Sequence, residues 1–265
     1  MRAGTLLLLL ALVFRGVGAA AGPPIVAAAS DLQFALADVV AAFREQTGHE
    51  VKTVFGSSGH LFRQIEQGAP FELFFSADED YVRRLAQGGR TVDAGAVYAI
   101  GRIGLFVPHG STLKADGRLD DLRRALDEGR VTKFAIANPD HAPYGIRARE
   151  ALQHAGLWRR LEPRLVFGEN VSQAAQFAAT GGAQGGIIAY SLAKAPPVAA
   201  LGRFALIPED WHQPLRQRVV LLRGAGDVAA AFYRFVQGAN ARAVFRAFGF
   251  ETPEPLRPGR APGGR

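Results

Sequence analysis

The stretch VYAIGRIGLFV, residues 97–107, is long for one ordinary strand, and Gly101 and Gly104 interrupt it. A second segment, FALIPEDWHQPLRQRVVLL at 204–222, holds two β-like runs separated by Pro208, Trp211 and Pro214. Both read as passages of the chain from one lobe to another. One lobe is then discontinuous, built from 22–100 plus 208–252, and the other is a continuous insertion over 101–207. Working outward, apolar runs alternate with amphipathic stretches, the pattern of an α/β protein with mainly parallel sheets. Strands are expected at Ile25–Ala29, Val51–Phe55, Glu72–Ser76, Lys133–Ala137, Arg164–Phe167 and Gly186–Tyr190, with helices between them.

The ends of the chain read differently from its body. Arg2, a ten-residue apolar run from Thr5 to Phe14 and small residues from Val17 to Ala21 describe an export signal over 1–21. That run is too short for a membrane span, which needs about 20 apolar residues. The Pro/Gly-rich tail, 253–265, reads as disordered. A soluble periplasmic protein is expected. The formal charge of +7 falls to +2 once Arg2, Arg15, Arg257, Arg260 and Arg265 are set aside with the leader and tail. No basic stripe interleaved with aromatics remains, so nucleic acid is not an expected partner. With no cysteine, disulfides, thiolate metal sites and cysteine nucleophiles are excluded.

Four strand ends break into a short turn and open a helix: Ala28-Ala29-Ser30, Gly56-Ser57-Ser58-Gly59, His141-Ala142-Pro143-Tyr144-Gly145 and Gly168-Glu169-Asn170-Val171. Helix N-termini carry unpaired N–H groups and the positive end of the helix dipole, and several in one cleft would hold an oxyanion without lysine or arginine. The bland reading is that Ser30, Ser57, Ser58 and Asn170 are ordinary caps. Their position beyond the carboxyl ends of strands, where open α/β sheets place ligands, favours binding. Pro143 preorganises a helix start that offers the amides of Tyr144 and Gly145. Glu169 would repel an anion and is expected to face away, braced by an arginine.

Catalytic patterns are weak. Gly224-Ala225-Gly226 lacks the acidic strand end of a dinucleotide site, and Ser191-Leu192-Ala193-Lys194 lacks its companion elements. Ser58, His60 and Asp78 lack a nucleophile elbow. The six histidines, at 49, 60, 109, 141, 154 and 212, show no paired metal-ligand spacing and read mostly as surface residues. Neither enzymatic activity nor a cofactor is expected.

Taken together and in order, AAASDL (27–32), FGSS (55–58), RQIEQGAP (63–70), LFFSAD (73–78), NPDHAPYG (138–145), ENV (169–171) and GIIAYS (186–191) resemble the periplasmic molybdate-binding proteins that feed ABC transporters. The resemblance spans Ile25 to Glu251. It implies the α/β, two-lobed periplasmic binding protein fold of type II, with two interlobe crossover strands and a ligand cleft between the lobes. It also implies capture of molybdate or tungstate and delivery to a membrane permease; a monomer is expected because it suits hinge closure best. By position it assigns ligand contacts to Ser30, Ser58, Tyr144 and Val171. The tyrosine donor of some members falls at Ala189, with Tyr190 one step along, so Tyr190 reaches the ligand only if the strand carries a bulge. The alternatives are a sulfate or thiosulfate binder, a serine hydrolase, or a module that has lost its ligand.

Overall fold

The computed structural model describes residues 22–253; the expected leader at 1–21 and the tail after Pro253 lie outside the described residues. Among the described residues, ten strands form two five-stranded sheets. They are β1 (Ile25–Ala29), β2 (Lys52–Gly56), β3 (Leu73–Ser76), β4 (Ala96–Gly101), β5 (Ile103–Pro108), β6 (Phe134–Ala137), β7 (Leu165–Gly168), β8 (Gly186–Ala189), β9 (Gly202–Leu206) and β10 (Leu215–Leu221). The first sheet has the order β2-β1-β3-β10-β4 and the second the order β7-β6-β8-β5-β9. This is the two-unit α/β binding-protein architecture, and neither sheet closes into a barrel.

The stretch at 97–107 is two strands in different sheets, β4 and β5, with Arg102 alone between them. A second passage, after β9 and before β10, returns the chain to the first sheet. Pairing is mixed rather than mainly parallel. β1 runs parallel to β2 and β3, but β10 is antiparallel to β3 and β4; β6 runs parallel to β7 and β8, but β5 is antiparallel to β8 and β9. The apolar pattern does not distinguish the two because central strands of both kinds, β1, β3, β6 and β8 as well as β5, are covered on both faces.

That double covering explains the uninterrupted apolar runs. Val26 and Ala28 of β1 face one core with Phe75, Phe43, Phe232 and Phe245, whereas Ala27 faces the other with Phe74, Leu61 and Ile65. Successive side chains thus enter opposite layers. Each fully buried phenylalanine contributes about 2–3 kcal/mol of transfer free energy, so the ends of these strands stand on a rigid base.

Candidate functional site

Four strands end at one place. The turn after β1 carries Ser30, the helix Ser58–Glu66 follows β2, the helix Pro143–His154 follows β6, and the helix Val171–Ala179 follows β7. Ser30, Ser58, Tyr144 and Val171 meet around a small, tightly walled cavity lined also by Asp31, Ser57 and Ala77. All four are buried. None of the residues lining this cavity is a lysine or arginine.

The caps explain why the neighbouring serines differ. Ser57 is the N-cap of its helix, its Oγ accepting from the His60 amide at 3.4 Å. Ser58 is therefore the first helical residue, and its hydroxyl accepts from the Ala77 amide at 2.9 Å while facing the cavity. Ser30 is not the helix cap either: Ala29 takes that position, and the Ser30 Oγ lies 3.3 Å from the Ser172 amide. Asn170 caps the helix at Val171 by accepting from the Ser172 and Gln173 amides. Helices begun in this way present the N–H groups of their first residues to the cavity end.

Tyr190 is not brought to this place. β8 ends at Ala189 without a bulge, and Tyr190 opens the next helix. Its ring stacks on Phe204 at 5.3 Å and lies against Gly249, where a Cβ would come within 2.6 Å of it.

The two units meet here through many polar contacts. Tyr144 donates to Asp31 Oδ2 at 2.9 Å, Ser191 donates to the Asp31 carbonyl at 2.8 Å, and the Gly59 amide donates to the His141 carbonyl at 3.0 Å. Gly59 permits that approach, since a Cβ would lie 2.5 Å from the same carbonyl oxygen. Gln217 Nε2 donates to Asp31 Oδ2 at 2.6 Å, and Tyr98 donates to Gln217 Oε1 at 2.5 Å. Asp31 thus sits in the cavity wall among neutral partners, with Oδ1 buried and unpaired. Burial lifts its carboxyl to about 7, against the hydrogen bonds from Gln217 and Tyr144. Burial also holds the hydroxyls of Tyr98 and Tyr144 well above their usual range, so both stay neutral.

Glu169 does not line the cavity, and its partners are histidines rather than an arginine. It pairs with His60 Nδ1 and lies 3.5 Å from His141 Nε2. The two imidazoles, separated by 81 positions in the chain, stack at 3.9 Å, and His141 is buried. Burial, and then the nearby His60, lower the His141 pKa; Glu169 pulls the other way. Ser57 Oγ lies 2.9 Å from His141 Nδ1. Ser57 is buried and caps its helix as well, so it ties the His141 ring to the start of that helix.

Sequence reasoning missed Asp31, Gln217 and the pairing of His60 with His141. Asp31 left one signal: an acid beside a wholly apolar strand end has to be held by something. Gln217, inside an otherwise apolar and basic strand, left a similar one.

A profile of the family described as bacterial extracellular solute-binding protein matches residues 25–251. The chain belongs to that family. Solute-binding proteins are non-enzymatic components of transport. This member is 39% identical to the molybdate-binding protein ModA of Rhodobacter capsulatus, over 88% of this chain and 90% of that one. It is 32% identical to the Escherichia coli protein of the same name, over 84% and 86%. Its fold superimposes on the periplasmic molybdate-binding protein of Azotobacter vinelandii with a TM-score of 0.78 at 29% identity, covering 87% of this chain and all of the other. Among the described residues of this solute-binding protein, no helix is long and apolar enough to cross a membrane.

Proposed function

We propose that this solute-binding protein captures molybdate, and tungstate with it, and hands the anion to the membrane permease of an ABC transporter. The observation that carries the reading is the convergence of Ser30, Ser58, Tyr144 and Val171 on one buried cavity without a cationic side chain. A dianion there is held by the hydroxyls of Ser30 and Ser58 and by amides at the starts of the helices, including those of Tyr144 and Val171. Fixed neutral dipoles in a water-excluded cleft act more strongly than in water and carry no counter-charge to strip on release. Tyr190 takes no part. The names of the relatives supply the choice of molybdate.

The working motion is closure of two lobes, 22–100 with 208–252 and 101–207, hinged at the passages through Arg102 and 207–214. The protein acts in the periplasm as a monomer, and anion capture requires no cofactor.

Thermal unfolding of the mature protein with excess molybdate, tungstate, sulfate or phosphate tests this. A ligand at one hundred times its Kd adds about 2.7 kcal/mol to the folded state, so molybdate and tungstate should raise the midpoint by several degrees. Sulfate acting equally well would overturn the choice of ligand, and no response to any of the four would overturn the reading itself.

A further inference from the structure

We propose that His60, His141 and Glu169 form a binding site for one divalent transition-metal ion of the zinc class, spanning the two units beside the cleft. One ligand atom from each residue falls within a group no wider than 4.8 Å. A tetrahedral ion with bonds of about 2.0–2.1 Å needs its ligand atoms about 3.4 Å apart. The distance of 3.5 Å between His141 Nε2 and Glu169 Oε2 already meets that spacing. Glu169 touches His60 more closely, and the His60 ring stacks within 17° of parallel on His141, so the half-exposed His60 ring turns out of the stack and the exposed Glu169 carboxylate swings outward to bring all three ligands onto one ion.

The site has an orienting contact as well as ligands. Ser57 engages Nδ1 of His141 at 2.9 Å, which fixes the ring and directs Nε2 to Glu169. Metal-bound histidines are held in this way by a partner on the second ring nitrogen. Two imidazoles and one carboxylate leave a fourth position for water, on the side where His60 and Glu169 are open to solvent. That donor set selects Zn²⁺, Co²⁺, Ni²⁺ or Cu²⁺ over Mg²⁺ or Ca²⁺, which prefer all-oxygen cages.

His60 stands on the helix after β2, in the first unit, whereas His141 and Glu169 come from the turns after β6 and β7, in the second. All three ligands meet only with the units together, so the ion acts as a clasp. By linkage, whatever closes the cleft tightens the metal, and the metal raises the affinity for the cleft's ligand by the same factor. This last consequence rests on the proposed function.

The experiment uses the tag-free protein stripped with chelator. Titration with Co²⁺, read by its visible absorption, and with Zn²⁺, read by calorimetry, should show one ion per chain. His60→Ala and Glu169→Gln should each weaken it at least tenfold while lowering the metal-free unfolding midpoint by no more than a few degrees, as for partly exposed pairs, and His212→Ala should bind as the wild type does. No binding by the wild type, or undiminished binding by His60→Ala, would overturn the site. With Zn²⁺ bound, the molybdate affinity should rise in the wild type and not in His60→Ala; an unchanged affinity would overturn the clasp. The metal titration contains no oxyanion, so failure of the site and failure of the molybdate reading are told apart.

Discussion

Two acidic turns lie at the ends of neighbouring strands in the first sheet, and they are neutralised in opposite ways. After β3, Asp78 faces Arg147 at 3.3 Å across the units, and Glu79 is gripped by Arg83, Arg216 and Arg218 at 2.8–2.9 Å. Burial pushes the Glu79 carboxyl up, but the hydrogen bonds from Arg218 and Arg216 outweigh it and hold the pKa low. After β1, Asp31 has only Tyr144 and Gln217 on its carboxylate, and burial wins. An arginine beside Asp31 would have placed a fixed cation in the wall of the oxyanion cavity. Neutral donors leave that wall uncharged while Asp31 keeps its proton, at a cost in stability once the proton leaves.

The largest expected effect breaks this neutral network at its centre. Gln217→Leu removes the amide that joins Asp31, Tyr144 and Tyr98, leaving the buried Tyr98 hydroxyl without its partner and Asp31 with Tyr144 alone. One orphaned buried group costs about 1–3 kcal/mol and the lost hydrogen bond on Asp31 about 1 kcal/mol more, so urea unfolding should show a loss of about 3 kcal/mol. Arg216→Ala, in the other turn, leaves Glu79 with Arg218 and Arg83 and should cost less than about 1 kcal/mol. Equal losses would mean that the two turns are not built differently.

The next effect is set by pH. Burial raises the Asp31 carboxyl to about 7 in the folded protein, against the ordinary aspartate value of 3.8 in the unfolded chain. Between those values the folded state holds a proton that the unfolded chain has lost. The Asp31 contribution to stability is therefore fully present below about pH 4, declines as pH rises towards 7 and levels off above it. From pH 5 to pH 8 the decline amounts to about 2–3 kcal/mol, at 1.36 kcal/mol per unit of pKa. Asp31→Asn should abolish that slope, seen as a stability difference between pH 5 and pH 8 about 2–3 kcal/mol smaller than in the wild type. In the wild type, molybdate affinity should also weaken over the same window as the carboxylate ionises; an unchanged slope in Asp31→Asn would sink the assignment.

These two turns also show what a sequence discloses. β1 is legible to the residue because both its faces are apolar, and the helix starts are legible because Ser57, Pro143 and Asn170 are local chemical signals. The crossing was visible as an overlong strand, yet its division at Arg102 depends on where that arginine finds Glu209 and Glu251. The Asp31–Gln217 and His60–His141 pairs join residues far apart in the chain. No periodicity or spacing encodes such contacts; they follow from the order of strands and the closeness of the two units.

The smallest effect sharpens the contrast between two tyrosines. Tyr144 belongs to the neutral network, whereas Tyr190 stands on the far side of the strand end, packed on Phe204 and Gly249. Tyr190→Phe keeps the ring, and with it the stacking, so both stability and molybdate affinity should stay within about 0.5 kcal/mol of the wild type. Ser58→Ala, measured alongside by calorimetry, deletes a hydroxyl in the cavity and should weaken binding about tenfold, as loss of one hydrogen bond to a charged ligand implies. If Tyr190→Phe weakened binding as much as Ser58→Ala, the tyrosine hydroxyl would have to reach the anion. The end of β8 would then have to rearrange when ligand binds, which its buried pairing with β5 and the close fit of Tyr190 against Gly249 oppose.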